Sequence, residues 1–284
     1  MMSIPGQLSS CGELVRTHDP DRYLCCLFAS PHHREALFSL YAFNYEVARI
    51  SEVVSETLLG HIRLQWWRES LDGIQTGHPR AHEVVKALAG VFYDVGLDRE
   101  PFDAVLDARE ADLQPIPFKT FEDLLHYAQH TSGVLARVGC RVVGLQCQTV
   151  IMAAEEIATA WALVGSLRAT PFLARSKRLM LPLEVLEVRG GQVGDHHAMR
   201  DVPAIRETCQ EVGANATRLL TSARDKVSNG MLGTARPILL LARLATLYLE
   251  RLERAGWNPY DPAINAPMPL KSWSLWWAAL TRRV

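Results

Sequence analysis

The sequence predicts an all-α protein built as a single helical domain. Three observations carry that expectation. Apolar residues recur with a period near 3.6 along almost the whole chain. Helix-stopping Gly and Pro clusters fall between the periodic stretches. No segment keeps up the two-residue alternation of a half-buried strand. The chain has 284 residues, 48% hydrophobic and 21% charged, enough for a substantial core. At this size one bundle of about eight to ten helices is expected.

Taken in order, residues 1–20 are expected as an N-terminal tail and 21–284 as the domain. Residues 33–56 place Ala36, Leu37, Leu40, Tyr41, Phe43, Val47 and Ile50 on one helical repeat. Residues 58–75 continue it with Leu59, Ile62, Leu64, Trp66, Trp67, Leu71 and Ile74, and Gly77–His78–Pro79 ends it. Further helices are predicted over 81–95 and 100–113, stopped by Pro115–Ile116–Pro117, and then over 120–143 and 149–168. Residues 187–200 read as a loop because of Gly190, Gly191 and Gly194. His196 and His197 inside it are adjacent, not spaced i,i+4 as on a metal-binding helix. Helices over 202–228, 234–254 and 271–281 complete the reading, with Asn258–Pro259 as the last break.

Composition excludes several function classes. A net charge of −1 gives no basic field for nucleic acid. The six cysteines form no CxxC pair, so buried thiols in a reducing compartment are expected. The N-terminus lacks the charged and apolar regions of a signal peptide and the arginine content of a transit peptide. No run is read as the roughly 20 apolar residues needed to span a bilayer. The expected location is cytoplasmic, with peripheral contact at the inner membrane left open. Trp273, Trp276, Trp277 and Leu280 follow the i, i+3, i+4, i+7 spacing, flanked by Lys271, Arg282 and Arg283. That stripe suits packing on the bundle, the favoured reading, or a membrane interface.

Several segments, in order, resemble the squalene/phytoene synthase family: DRYLCCLFASPHHREALFSLYAFNYEVARISEVVSE (21–56), RLQWWRESLDGIQTGHP (63–79), LDAREADL (106–113), HYAQHTSGVLARVGCRVVG (126–144) and RLMLPLEVL (178–186). The resemblance implies the all-α isoprenoid-synthase fold and head-to-head coupling of prenyl diphosphates. It also implies two facing helices, each with Asp-x-x-x-Asp, that hold Mg²⁺ against the diphosphate leaving group. Magnesium requires such oxygen ligands.

At the positions matching the first pair stand Ala48 and Glu52, and Tyr45 stands where the family has an arginine. The second pair falls at Ala169 and Leu173, and its metal-binding amide at Gly165, within WALVGSLRATPFLA. That stretch contains no Asp or Glu. Arg168 and Tyr127 match family site residues. These are the candidate ligand-binding positions, together with Glu56, one turn beyond Glu52. Glu52 and Glu56 read either as a relic cation site or as a solvated helix end. Arg168 needs a partner, either a structural one such as Glu52 or a bound anion.

YAFNYEVARISEVVSE and SLRATPFLARSKRLMLPLEVL resemble the complex I assembly factor 6 branch of the family. That likeness implies a binding or assembly protein without prenyl transfer. It would work with subunits or assembly intermediates of respiratory NADH:quinone oxidoreductase and hold an isoprenoid or lipid ligand in the old cavity. No cofactor is then expected. The alternative is an active Mg²⁺-dependent head-to-head synthase acting on farnesyl or geranylgeranyl diphosphate.

Overall fold

The computed structural model describes residues 8–227 and 233–281, and every regular element among them is helical. The chain enters through α1 (Ser10–His18), where the Ser9 hydroxyl accepts from the Gly12 N–H. Cys11 and Val15 on α1 are buried against α3 (Pro31–Ala48). Residues from Ser10 onward therefore belong to the core, not to a free tail. Between them lies α2 (Pro20–Cys26), capped by the Asp19 carboxylate. Both α2 and α3 begin with a proline, which lacks only an N–H that a first turn cannot use.

The predicted helix 33–56 is divided. It ends at Ala48, and a single turn, α4 (Ile50–Val53), continues it. Next, α5 (Thr57–Gln75) buries Gly60, Leu64, Trp67, Leu71 and Ile74. Leu59 and Ile62, read as part of its apolar face, are exposed, because they lie off that 3–4 spaced stripe. Then follow α6 (Glu83–Val95), ended by Gly96 at φ 67°, and α7 (Glu100–Arg109), which tightens into a 3₁₀ turn over Glu110–Leu113.

The predicted helix 120–143 is three pieces: α8 (Phe121–Ala128), a π-helical turn at Gln129–Gly133, and α9 (Val134–Val142). Gly133 lets this turn lie close to the next helix, since a Cβ there would meet Thr159 Oγ1 at 3.0 Å. That next helix, α10 (Gln148–Arg175), runs past the predicted end at 168 and carries Pro171 inside it. It is the axis of the bundle, packed on α8, α9, α13 (Pro203–Lys226) and α15 (Leu241–Arg254). Among the described residues it is the one helix whose length and mean hydropathy, 1.5 over 18 residues, reach the range of a membrane span, a run the sequence reading passed over. The bundle buries 67% of that window.

After α10 come α11 (Leu183–Val188) and α12 (Val193–His197). The second lies within the predicted loop 187–200. His196 is fully buried there, with Nε2 2.7 Å from the Arg178 carbonyl and Nδ1 3.1 Å from Tyr260 Oη. The short α14 (Arg236–Leu239) leads into α15, and α16 (Lys271–Thr281) packs against α15. Its buried residues are Leu275, Ala278 and Ala279. Trp273, Trp276, Trp277 and Leu280 are at least half exposed, so the predicted stripe faces solvent and not the bundle. Arg282 and Arg283 lie outside the described residues. Five of the cysteines are buried free thiols, and Cys147 is exposed.

Candidate functional site

A cavity of about 840 Å³ opens between α3–α4 and α10. Asn44 and Ala48 enter it from α3, and Ser51 and Glu52 from α4. Facing them on α10 are Trp161, Gly165, Ala169 and Leu173, four residues apart and so on one helix face. Tyr127, Thr131 and Ser132 from α8 and the π-helical turn line it as well. Arg22, Arg109, Asp112 and Arg178 bring charge to it.

The α10 wall carries no acid. Its Ser166 hydroxyl is spent on the Leu163 carbonyl of the same helix, at 2.7 Å. A Cβ added at Gly165 would meet nothing within 4 Å, so this wall is open. On the opposite wall Glu52 is exposed at the rim. Asp112 is committed: its oxygens accept from Tyr127 Oη at 2.7 Å and from Arg109 Nη1 at 3.0 Å. A divalent cluster between two helices needs carboxylate oxygens from both. The donors here do not fit one. Among the described residues no group of three His, Cys, Asp or Glu side chains is placed to hold a metal.

Of the positions singled out in the sequence, Ala48, Glu52, Tyr127, Gly165, Ala169 and Leu173 line this cavity. Three others do not. Tyr45 stacks on His18 at 4.2 Å and lies under the Arg49 guanidinium. Glu56 is exposed and borders a smaller, separate recess. Arg168 is one residue from Ala169 and so turned about 100° off the lining face. It lies 3.5 Å above the Tyr248 ring and 3.6 Å from Asp21. Its structural partner is therefore Asp21 and not Glu52. Asp21 also accepts from Tyr248 Oη at 2.9 Å and Lys271 Nζ at 2.5 Å, which ties α2, α15 and α16 together.

The arginines Arg22 and Arg109 were not singled out in the sequence. Each pairs with an acid three residues away, Asp19 and Asp112, the spacing of an ordinary surface pair. Both are in fact drawn inward. Arg22 donates to Ser132 Oγ at 2.9 Å and to Asp19 at 2.9 Å. Arg109 donates to Tyr127 Oη at 2.6 Å and to Asn44 Oδ1 at 3.2 Å. Burial pushes the Tyr127 phenol far above its usual value, against the pull of Arg109. Arg178 reaches Ser51 Oγ at 3.0 Å and the Asp112 carbonyl. The signal that would have found them is their mutual placement, which no linear spacing shows.

The family model for squalene/phytoene synthase matches residues 15–276. The chain belongs to the squalene/phytoene synthase family. Among solved structures it is similar to a squalene synthase, HpnC, from Alicyclobacillus acidocaldarius, with TM-score 0.77, 22% identity, and coverage of 88% of this chain and 94% of that one. It is also similar to a dehydrosqualene synthase solved with a ligand, with TM-score 0.79, 15% identity, and coverage of 96% and 94%. These likenesses establish the all-α isoprenoid-synthase fold. Among curated proteins it is similar to NADH dehydrogenase (ubiquinone) complex I, assembly factor 6, of Bos taurus, 27% identical over 94% of this chain and 81% of that protein. The Homo sapiens counterpart is 26% identical over 92% and 79%. A chloroplastic phytoene synthase of Daucus carota is 27% identical, over 63% of this chain and 46% of that protein.

Proposed function

We propose that this family member performs no prenyl transfer and acts as an assembly factor for respiratory NADH:quinone oxidoreductase. One observation carries the reading: the α10 wall of the cavity presents Gly165, Ala169 and Leu173 and no carboxylate. Ionising a prenyl diphosphate leaves several negative charges on the departing group, and metal ions bound from both sides must neutralise them. Here the donor set for such ions is missing on one side. The similarity to complex I, assembly factor 6, over nearly the whole chain supports this role. Its partners are then complex I subunits or assembly intermediates. Its location is cytoplasmic, against the inner membrane, where the exposed tryptophans of α16 meet the lipid interface. The rival reading, a Mg²⁺-dependent head-to-head synthase, has Glu52 at the rim in its favour and no second acid opposite it.

Deletion of the gene in its source organism tests this. Assembled NADH:quinone oxidoreductase on native gels, and its activity in membranes, should fall several-fold. Both should return on complementation, including with Glu52→Gln, because no metal chemistry is involved. Unchanged assembly in the deletion strain overturns the role.

A further inference from the structure

A groove of about 500 Å³ runs between α2 and α16, on a face apart from the family cavity. Leu24, Leu27 and Phe28 line it from the α2 side, and Trp273 and Trp276 from the α16 side. Leu275 lines it too and is buried, so it forms the bottom. The two walls are tied at one end. Asp21, one turn before Leu24 on α2, holds Lys271, the first residue of α16, at 2.5 Å. Asp21 is itself buried and also takes the Tyr248 hydroxyl at 2.9 Å, so the tie is part of the core. The rim is apolar and open: Leu27, Trp273 and Trp276 are 41%, 67% and 50% exposed. Exposed apolar side chains gathered round an apolar hollow mark a surface for an apolar partner.

Two observations say which partner. The first is size. The volume lies within the roughly 300–1,000 Å³ of small-ligand sites. A stable protein partner takes about 20–30 residues a side, far more than one short helix and the start of another supply. The second is charge. At the end of α2 the Arg34 guanidinium donates to the Leu27 and Ala29 carbonyls, each at 3.1 Å. Its Nε–H is buried with no hydrogen-bond partner, and no carboxylate pairs with it among the described residues. Glu35, next in sequence, points about 100° away around α3. On the other flank of α16, Arg243 donates from Nε to Ser274 Oγ at 2.6 Å. Glu250 is 3.9 Å from Arg243 and is held closer by Arg254, at 3.1 Å. Positive charge therefore flanks the apolar groove on both sides.

We propose that the groove between α2 and α16 takes one acyl chain of an anionic membrane phospholipid, with Arg34 and Arg243 drawing the anionic surface to it. The inference deepens the reading that α16 meets the lipid interface and rests on that reading. Indoles that only lie on a bilayer need no hollow beside them. A groove floored by Leu275 adds burial of a chain to the contact of the indoles with the headgroup layer. Attraction between the flanking guanidinium groups and anionic lipid then adds to the apolar contact.

The test is a tryptophan-fluorescence titration of the purified full-length chain without any bilayer. The probes are octanoyl, decanoyl and lauroyl lysophosphatidylglycerol, each with one acyl chain and each kept below its micelle concentration. Binding should be saturable and should tighten several-fold at each step in chain length. Lauroyl lysophosphatidylcholine, which has no net charge, should bind several-fold more weakly than its glycerol counterpart. Leu27→Glu places a charge on the groove wall and should weaken lauroyl binding at least about tenfold. Leu27→Ala should weaken it several-fold and serves if the charged variant folds poorly. Val188→Glu, at an 86% exposed position on α11, should leave it unchanged. The proposal falls if the three chain lengths bind alike, if the choline lipid binds as well as the glycerol lipid, or if both Leu27 variants bind as wild type does. It falls also if the lipid-free chain is a dimer that Leu27→Glu separates, because the groove then belongs to a second copy. Flotation with liposomes judges the interface by itself. A chain that floats and shows no dependence on chain length loses the groove and keeps the interface.

Discussion

Arg178 is fixed at both ends. Its guanidinium holds Ser51 and the Asp112 carbonyl, and its own carbonyl lies 2.7 Å from His196 Nε2. A carbonyl only accepts, so Nε2 carries the proton, while Nδ1 lies 3.1 Å from Tyr260 Oη. Full burial favours the neutral form of this imidazole in the folded protein. Burial, the largest cause, pushes its pKa below 6.5, and the bond to the Arg178 carbonyl opposes part of that shift. The unfolded chain takes up a proton that the folded chain resists. Its contribution to stability is thus complete above the unfolded value of 6.5 and is lost as pH falls below it. The urea midpoint should fall across that acid window, and His196→Gln should flatten that part of the profile. A profile identical to wild type would show that His196 is not held neutral. The sequence showed two histidines in a glycine-rich stretch and nothing of this, because the partners are 18 and 64 positions away.

The helices that were legible are those with one buried face. The stripe of α5 from Leu64 to Ile74 and the boundaries of α16 both follow from spacing alone. α10 was harder to bound because it is surrounded: with neighbours on most sides it has no polar stripe to mark its limits, and Pro171 reads as a stop. The π-helical turn was invisible because nothing in QHTSG marks it, and the close approach of Gly133 to Thr159 joins residues 26 positions apart. In α16 the spacing was right and the direction wrong. Leu275 and the small residues Ala278 and Ala279 are the buried side of the helix, and the indoles face out. Three exposed tryptophans on one helix beginning with a lysine suit a lipid–water interface. The protein should therefore float with anionic liposomes, and joint replacement of Trp273, Trp276 and Trp277 by Ala should reduce the floated fraction several-fold. Unchanged flotation would remove α16 as the contact.

Across the whole molecule, the site is assembled from positions as distant as Arg22, Ala48, Asp112, Gly165 and Arg178. The bare positions on α10 were legible because a four-residue spacing survives when its residues change type, so Gly165, Ala169 and Leu173 still mark one wall. Arg22 and Arg109 were not legible, because what draws them to the lining is partners from other segments, Ser132 for the first and Tyr127 and Asn44 for the second. The central claim is that this fold has kept the cavity of its family and lost the ligand set for the metal that prenyl coupling requires. Incubation of the purified chain with farnesyl diphosphate and Mg²⁺, followed by analysis of released diphosphate and of hydrocarbon products, tests it most directly. The account predicts neither diphosphate release nor a coupled product above a protein-free control. A squalene-like hydrocarbon formed in step with diphosphate release, and abolished by Glu52→Gln, would contradict it.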